Sequence, residues 1–294
     1  ADSLALATGA RVVDLDTAFG DPTLDAYLIA SPPRTHADYL ERAAATRAYV
    51  FCEKPIDHDM GRILTCMKAW KGREGRVQLG FNRRFDHQFV ALKQAIAEGR
   101  IGKVEQVLVI SRDAEAPEVE GFIHSSGLLK ETAVHDFDLI RWLLEDEAAE
   151  VFVMGDALIN PAYLTVGQID TTTTALRMAK GSHVTILNSL RAAYGYDQRI
   201  EVHGAKGAVS AENQRPVSIE VATAAGYTRP PLHDFFMTRY TEAYASEIAG
   251  FIAALAAKTP ATPSGEDGLI ALALAEACLK SVAEGRVVKM AEIL

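Results

Sequence analysis

Three short runs constrain the fold more than anything else in the chain. Residues 25–30, 48–52 and 77–81 are apolar almost throughout, and helical stretches at 35–45 and 59–70 separate them. A strand that shows the core one face alternates apolar with polar residues, whereas a strand buried on both faces does not. Strands of the second kind, alternating with helices, mean a parallel sheet covered on both sides. Residues 1–82 therefore read as the remainder of a Rossmann-type, doubly wound α/β domain, with a short helix at 4–8 and an extended stretch at 11–14 leading in. The chain opens Ala1-Asp2-Ser3 with no initiator Met, no strand and no Gly-x-Gly-x-x-Gly, so it reads as starting in mid-domain, its N-terminal strands lying upstream.

Beyond Phe81 the rhythm changes. A helix at 88–98 and a strand at 104–111 precede an acidic, Pro-containing loop and a helix at 131–144. Strand-like runs follow at 149–154, 171–178, 182–189, 198–203 and 208–211, with Gly204 and Gly207 bracketing a hairpin turn. Helices at 235–257 and 265–284 close the chain. Residues 83–294 read as an α+β domain with a large, mostly antiparallel open sheet, the last helix being able to pack back on the first domain.

Composition enters as a set of exclusions. The 30 Lys and Arg stand against 39 Asp and Glu, a formal charge of -9, and no basic cluster is present, which argues against a nucleic-acid partner. The longest apolar runs, 26–30 and 269–275, fall short of the roughly 20 residues a membrane span needs, and these residues carry no secretory leader. Cys52, Cys66 and Cys278 are few, odd in number and set in apolar or helical patterns. They suit a reducing compartment, the cytoplasm by default. The histidines show no paired ligand spacing, so no metal site is expected.

Lys54, in Glu53-Lys54-Pro55, directly follows a strand of the parallel sheet, where open α/β sheets place their ligands; a plain surface lysine fits the same position. Ser31-Pro32-Pro33-Arg34-Thr35-His36 ends the preceding strand in the same way, although the prolines also serve simply to stop it. In the 131–144 helix, Ala133, Phe137, Ile140 and Leu144 make a core stripe, with Glu131, His135 and Asp138 on the opposite face. A histidine between two carboxylates suits a general base; from spacing alone a solvated helix face is the simpler reading. Asn82, Arg83, Tyr194 and Arg239 supply amide, guanidinium and phenol groups of the kind that pair buried hydroxyls, or ordinary surface polarity. The aromatic residues around Arg239 are expected in the core.

Taken in order, Glu53-Lys54-Pro55, Gly80-Phe81-Asn82-Arg83-Arg84-Phe85-Asp86, the helix with His135-Asp136-Phe137-Asp138, and Tyr194-Gly195-Tyr196-Asp197-Gln198-Arg199 resemble the glucose-fructose oxidoreductase, inositol dehydrogenase and rhizopine-catabolism (Gfo/Idh/MocA) family along practically the whole chain. The resemblance implies an NAD- or NADP-dependent dehydrogenase that oxidises a secondary hydroxyl of a cyclic polyol or sugar. It also implies a homo-oligomer, dimer or tetramer, joined through the open sheet. Lys54 matches the lysine that bonds the reacting hydroxyl, and His135 the histidine that abstracts its proton. Ser31, Pro32, His36, Glu53, Lys54 and Pro55 match cofactor positions, and Asn82, Arg83, Tyr194 and Arg239 substrate positions. Glu131 stands where the family has an Asp, and Ser126-Gly127 where it has Gly-Gly. These departures leave a different pyranose dehydrogenase, or a catalytically silent sugar-binding or regulatory homologue, as the alternative expectations.

Overall fold

The computed structural model describes residues 2–122 and 125–294. They form two compact units, Ala1–Gly80 with Gly250–Gly265, and Phe81–Ala249 with Glu266–Leu294.

The first unit runs α1 (Asp2–Thr8), α2 (Leu15–Gly20), β1 (Ala26–Ile29), α3 (His36–Ala44), β2 (Tyr49–Cys52), α4 (Met60–Ala69) and β3 (Val77–Leu79). β1, β2 and β3 lie side by side in that order, all parallel, with Ile29 opposite Cys52 and Cys52 opposite Leu79. Val50, Cys52, Val77 and Leu79 are fully buried, as their unbroken apolar pattern requires. α3 presents Ala37, Leu40 and Ala44 to the core at helical spacing. α4 starts at Asp59, whose carboxylate accepts the Arg62 amide at 2.7 Å, and ends at Trp70, whose indole donates to the Leu40 carbonyl at 3.2 Å. Gly250–Gly265 joins through the Leu79 amide, which donates to the Pro263 carbonyl, and through the edge-to-face pair Phe51–Phe251. The expected extended stretch at 11–14 is not a strand; Val12 and Val13 are exposed and no strand among the described residues pairs with them.

The second unit carries α5 (His87–Ala97), β4 (Val104–Arg112), α6 (Val119–Phe122), α7 (Gly127–Glu131), α8 (Ala133–Leu144), β5 (Ala148–Asp156), β6 (Thr171–Met178), β7 (His183–Ser189), β8 (Asp197–Gly204) and β9 (Gly207–Ala211). It continues with β10 (Val221–Thr223), β11 (Gly226–Thr228), α9 (Phe236–Arg239), α10 (Thr241–Ala257, of which residues from Gly250 on belong to the first unit), α11 (Gly265–Glu284) and β12 (Val288–Lys289). The large sheet has the order β12-β5-β6-β7-β4-β8-β9, antiparallel except where β4 meets β7. Alternation sorts its faces: Val107, Val109, Val151, Val153, Ile186 and Val202 point into the core, where the Ser281 hydroxyl of α11 accepts the Val153 amide at 3.0 Å.

Two expected helices are each broken in two. The helix at 131–144 parts at Thr132 (φ -101°, ψ -57°), so Glu131 ends α7 while His135 belongs to α8. α7 is fixed by Gly127, whose φ of +84° and close approach to the Gln168 side chain exclude a Cβ. The helix at 235–257 parts at Tyr240, whose ring is drawn into the core. Of its aromatic neighbours expected in the core, Phe235 and Phe236 are exposed. The hairpin β10–β11 and the short strand β12 carry no apolar alternation that would have announced them.

Candidate functional site

The site residues of the first unit stand where its parallel strands end. The Glu53 amide donates to the Ile29 carbonyl and the Gly80 amide to the Cys52 carbonyl, both at 2.8 Å, so the ladder runs one residue past each strand and aligns Ala30, Glu53 and Gly80 on neighbouring strand ends, with Ser31 the next residue along. Ser31 Oγ and Thr35 Oγ1 share a hydrogen bond of 2.6 Å, and Thr35 donates to the Pro32 carbonyl at 2.8 Å. Lys54 and Pro55 are half-buried and joined by a cis peptide bond. Glu53 lies against Gly80, and burial pushes its carboxyl above the usual range while the charges of Lys54 and His36 draw it down. His36 is 1% exposed; its Nδ1 meets the Pro55 carbonyl and its Nε2 the Ser31 carbonyl, each at 2.7 Å. No ring nitrogen is left over for a ligand.

In the second unit, α8 is buried nearly all round, Asp136 and Asp138 included, where an amphipathic helix was expected. Two ion pairs make this tolerable. Arg83 bonds Asp136, whose Oδ2 also accepts from Asn188 Nδ2 at 2.7 Å, and Arg83 reaches Ser111 Oγ at 3.4 Å. Burial works against the Arg83 charge, but Tyr240 and Asp136 outweigh it and hold the guanidinium above its ordinary value. Arg84 grips Asp138 with Nε and Nη2, at 2.8 and 2.6 Å, and Asp267 at 2.8 Å. Asp138 is thus committed to Arg84, not to the flank of His135 where the spacing put it. His135 is half-buried with Phe81 edge-on to its ring, centroids 5.9 Å apart. Glu131 Oε1 accepts the Ser126 amide at 2.7 Å.

Asn82 and Arg83 are both buried, and Arg239 donates from the interior to Asp86 at 2.6 Å with its guanidinium 4.6 Å from the Tyr240 ring centre. Tyr194 is half exposed; its hydroxyl donates to Asp197 at 2.5 Å and accepts from Arg112 at 2.7 Å. Asp197 also gathers Arg199 and, at 2.6 Å, Asn213. Burial pushes the Asp197 carboxyl up, yet these donors together leave it below the usual range. Sequence reasoning missed the roles of Asp136, Asn188 and Asp197. Asp136 alone left a trace, an acid one turn from Ala133 and from Ile140 on an otherwise apolar helix. Among the described residues, no three His, Cys, Asp or Glu side chains converge as a metal site would require.

This architecture and these strand-end residues define an oxidoreductase class, and comparison places the chain in it. The model of the oxidoreductase family's NAD-binding Rossmann fold matches residues 1–81, and that of its C-terminal alpha/beta domain matches residues 93–290. The chain belongs to the Gfo/Idh/MocA oxidoreductase family, whose NAD-dependent members act as dehydrogenases on CH–OH groups. More particularly, it is 50% identical to the inositol 2-dehydrogenase of Rhizobium meliloti (strain 1021), over 99% of this chain and 88% of that protein. A crystal structure of a myo-inositol dehydrogenase from Corynebacterium glutamicum superposes with a TM-score of 0.93 at 36% identity, covering 98% of this chain and 86% of that one. The scyllo-inositol dehydrogenase of Lactobacillus casei, solved with bound NAD(H) and scyllo-inositol, gives 0.87 at 27% identity, with 95% and 84% covered.

Proposed function

We propose that this chain oxidises a ring hydroxyl of an inositol to the ketone with NAD. The observation that carries the reading is the 50% identity with an inositol 2-dehydrogenase along nearly the entire chain. Ser31, Pro32, Glu53 and Pro55, grouped at the ends of β1 and β2, are the residues proposed to meet the cofactor. The nicotinamide ring supplies the hydride acceptor. His135 is assigned the hydroxyl proton, and Lys54 the developing negative charge on the oxygen as the carbinol hydrogen leaves with its electron pair. Glu131, anchored by the Ser126 amide, is assigned the orientation of His135. Tyr194, held between Arg112 and Asp197, is the proposed substrate contact with a hydroxyl already oriented.

Lys54→Ala is expected to lower kcat on myo- or scyllo-inositol by about 10²–10³-fold with circular dichroism unchanged, and His135→Ala by a similar factor. A Lys54→Ala protein that turns over at the wild-type rate would remove Lys54 from the mechanism.

We further propose that a second copy of the chain covers the outer face of the large sheet. Two rows cross it, Phe152-Ala175-Thr185-Leu108 and Met154-Thr173-Leu187-Ile110, and they make a largely apolar band on the side away from the core. Met154 is 61% exposed in the single chain. A band of this kind is characteristic of a protein–protein contact. The three cysteines are free and buried, and this supports a cytoplasmic setting.

A further inference from the structure

We infer that His36 is a positioning residue that sets two loops independently, the Lys54 loop through Nδ1 and the Ser31 loop through Nε2. The inference rests on the reading given above, in which Lys54 acts on the reacting hydroxyl and Ser31 lies against NAD. It starts from a constraint of hydrogen bonding. A carbonyl oxygen only accepts, and the ring meets one at each nitrogen, Pro55 and Ser31, both at 2.7 Å. Each contact is a hydrogen bond only where the nitrogen that makes it carries the proton.

From the β2 loop the neighbouring charges are the Glu53 carboxylate and Lys54, both of which interact with one another and, for Glu53, with His36. On its own helix Asp38 is the nearest acid in sequence, and it is engaged by Arg62 of α4 at 2.6 Å. Glu53, next in sequence to the lysine whose loop the ring holds, is the acid that interacts with the ring from the β2 loop.

The geometry gives the ring leverage. His36 is the first residue of α3, and that helix is locked to the sheet by Ala37, Leu40 and Ala44. The two carbonyls it grips belong to segments that follow neighbouring parallel strands, β1 and β2. One rigid, planar group thus fixes the spacing between strand-end loops whose own strands have already stopped pairing. Hydrogen bonds of this length, buried from solvent, are costly to lose, so their loss displaces the loops measurably.

The two halves of the tie can be cut separately. The side-chain amide nitrogen of Asn reaches about where Nδ1 stands, and that of Gln about where Nε2 stands. His36→Asn keeps the hold on Pro55 and releases Ser31; His36→Gln does the reverse. In the intact protein, His36→Asn is expected to weaken NAD binding, measured by calorimetry, about tenfold while kcat at saturating NAD stays within about twofold. His36→Gln is expected to lower kcat about tenfold while NAD binding stays within about twofold. Ring ¹⁵N NMR of the wild type is expected to show both His36 nitrogens engaged in hydrogen bonds. Variants that lose both properties together, as a merely structural histidine would, or that lose neither, overturn the inference, as does a ring nitrogen without a hydrogen bond in the spectrum. If the wild type oxidises no inositol, the functional reading fails, while the spectrum and the NAD calorimetry still decide the tie.

Discussion

Gly80 must be glycine for a reason that lies in its neighbour. A Cβ there would stand 2.6 Å from Glu53 Oε2 and 3.2 Å from the Glu53 Cα, so the carboxylate and its backbone would both have to move. Gly80→Ala is expected to cost about 1–3 kcal/mol in chemical denaturation and to weaken NAD binding in calorimetry; wild-type values for both would mean Glu53 shifts without consequence. Asp197 makes a prediction of opposite character, in pH. Its folded value is below its unfolded one, so it adds stability above the unfolded value and loses it as pH falls through the folded one. Asn213→Ala should therefore destabilise most above about pH 5, with the gap to wild type closing below about pH 4. A constant offset across that range would refute the assignment. The place of Lys54 just past the end of β2 was legible in the sequence, because an apolar run that stops at Cys52 marks where the strand ends. The double grip of His36 was not, since backbone carbonyls leave no mark in a sequence.

Helix α8 owes its place to pairs that cross long stretches of chain. Arg83→Met leaves Asp136 buried, bonded to Asn188 but without its ion-pair partner, and urea denaturation is expected to show a loss of about 3–5 kcal/mol. Asn188→Ala should cost less, about 1–3 kcal/mol, and the double variant should fall short of the sum because both act on one carboxylate. A loss below 1 kcal/mol for Arg83→Met would mean that Asp136 takes up a proton or another partner. Strands β4 to β9 could be read from the sequence because alternation is local and the sheet demands it. The break at Tyr240 could not, because distant partners accompany it: Arg239 is held by Asp86 while the adjoining Tyr240 ring is buried. The period of α8 was read correctly and its environment was not, since periodicity reports where apolar residues fall and is silent on acids that enter the core with an arginine.

For the molecule as a whole, the exposed rows of the large sheet lead to a test of self-association. Leu108→Glu is expected to weaken a dimer at least about tenfold, seen as a shift to monomer in light scattering, with little change in the melting of the single chain. A dimer that survives unchanged would move the contact to another surface. The two units are also interlaced in the chain, the first being completed only by Gly250–Gly265. On a ribosome, the Leu79 amide therefore waits for the Pro263 carbonyl, a delay on the order of 10–40 seconds at about 5–20 residues per second. The nascent first unit spends that time with the outer edge of β3 uncovered, so slowing translation in cell-free synthesis without chaperones is expected to lower the soluble yield.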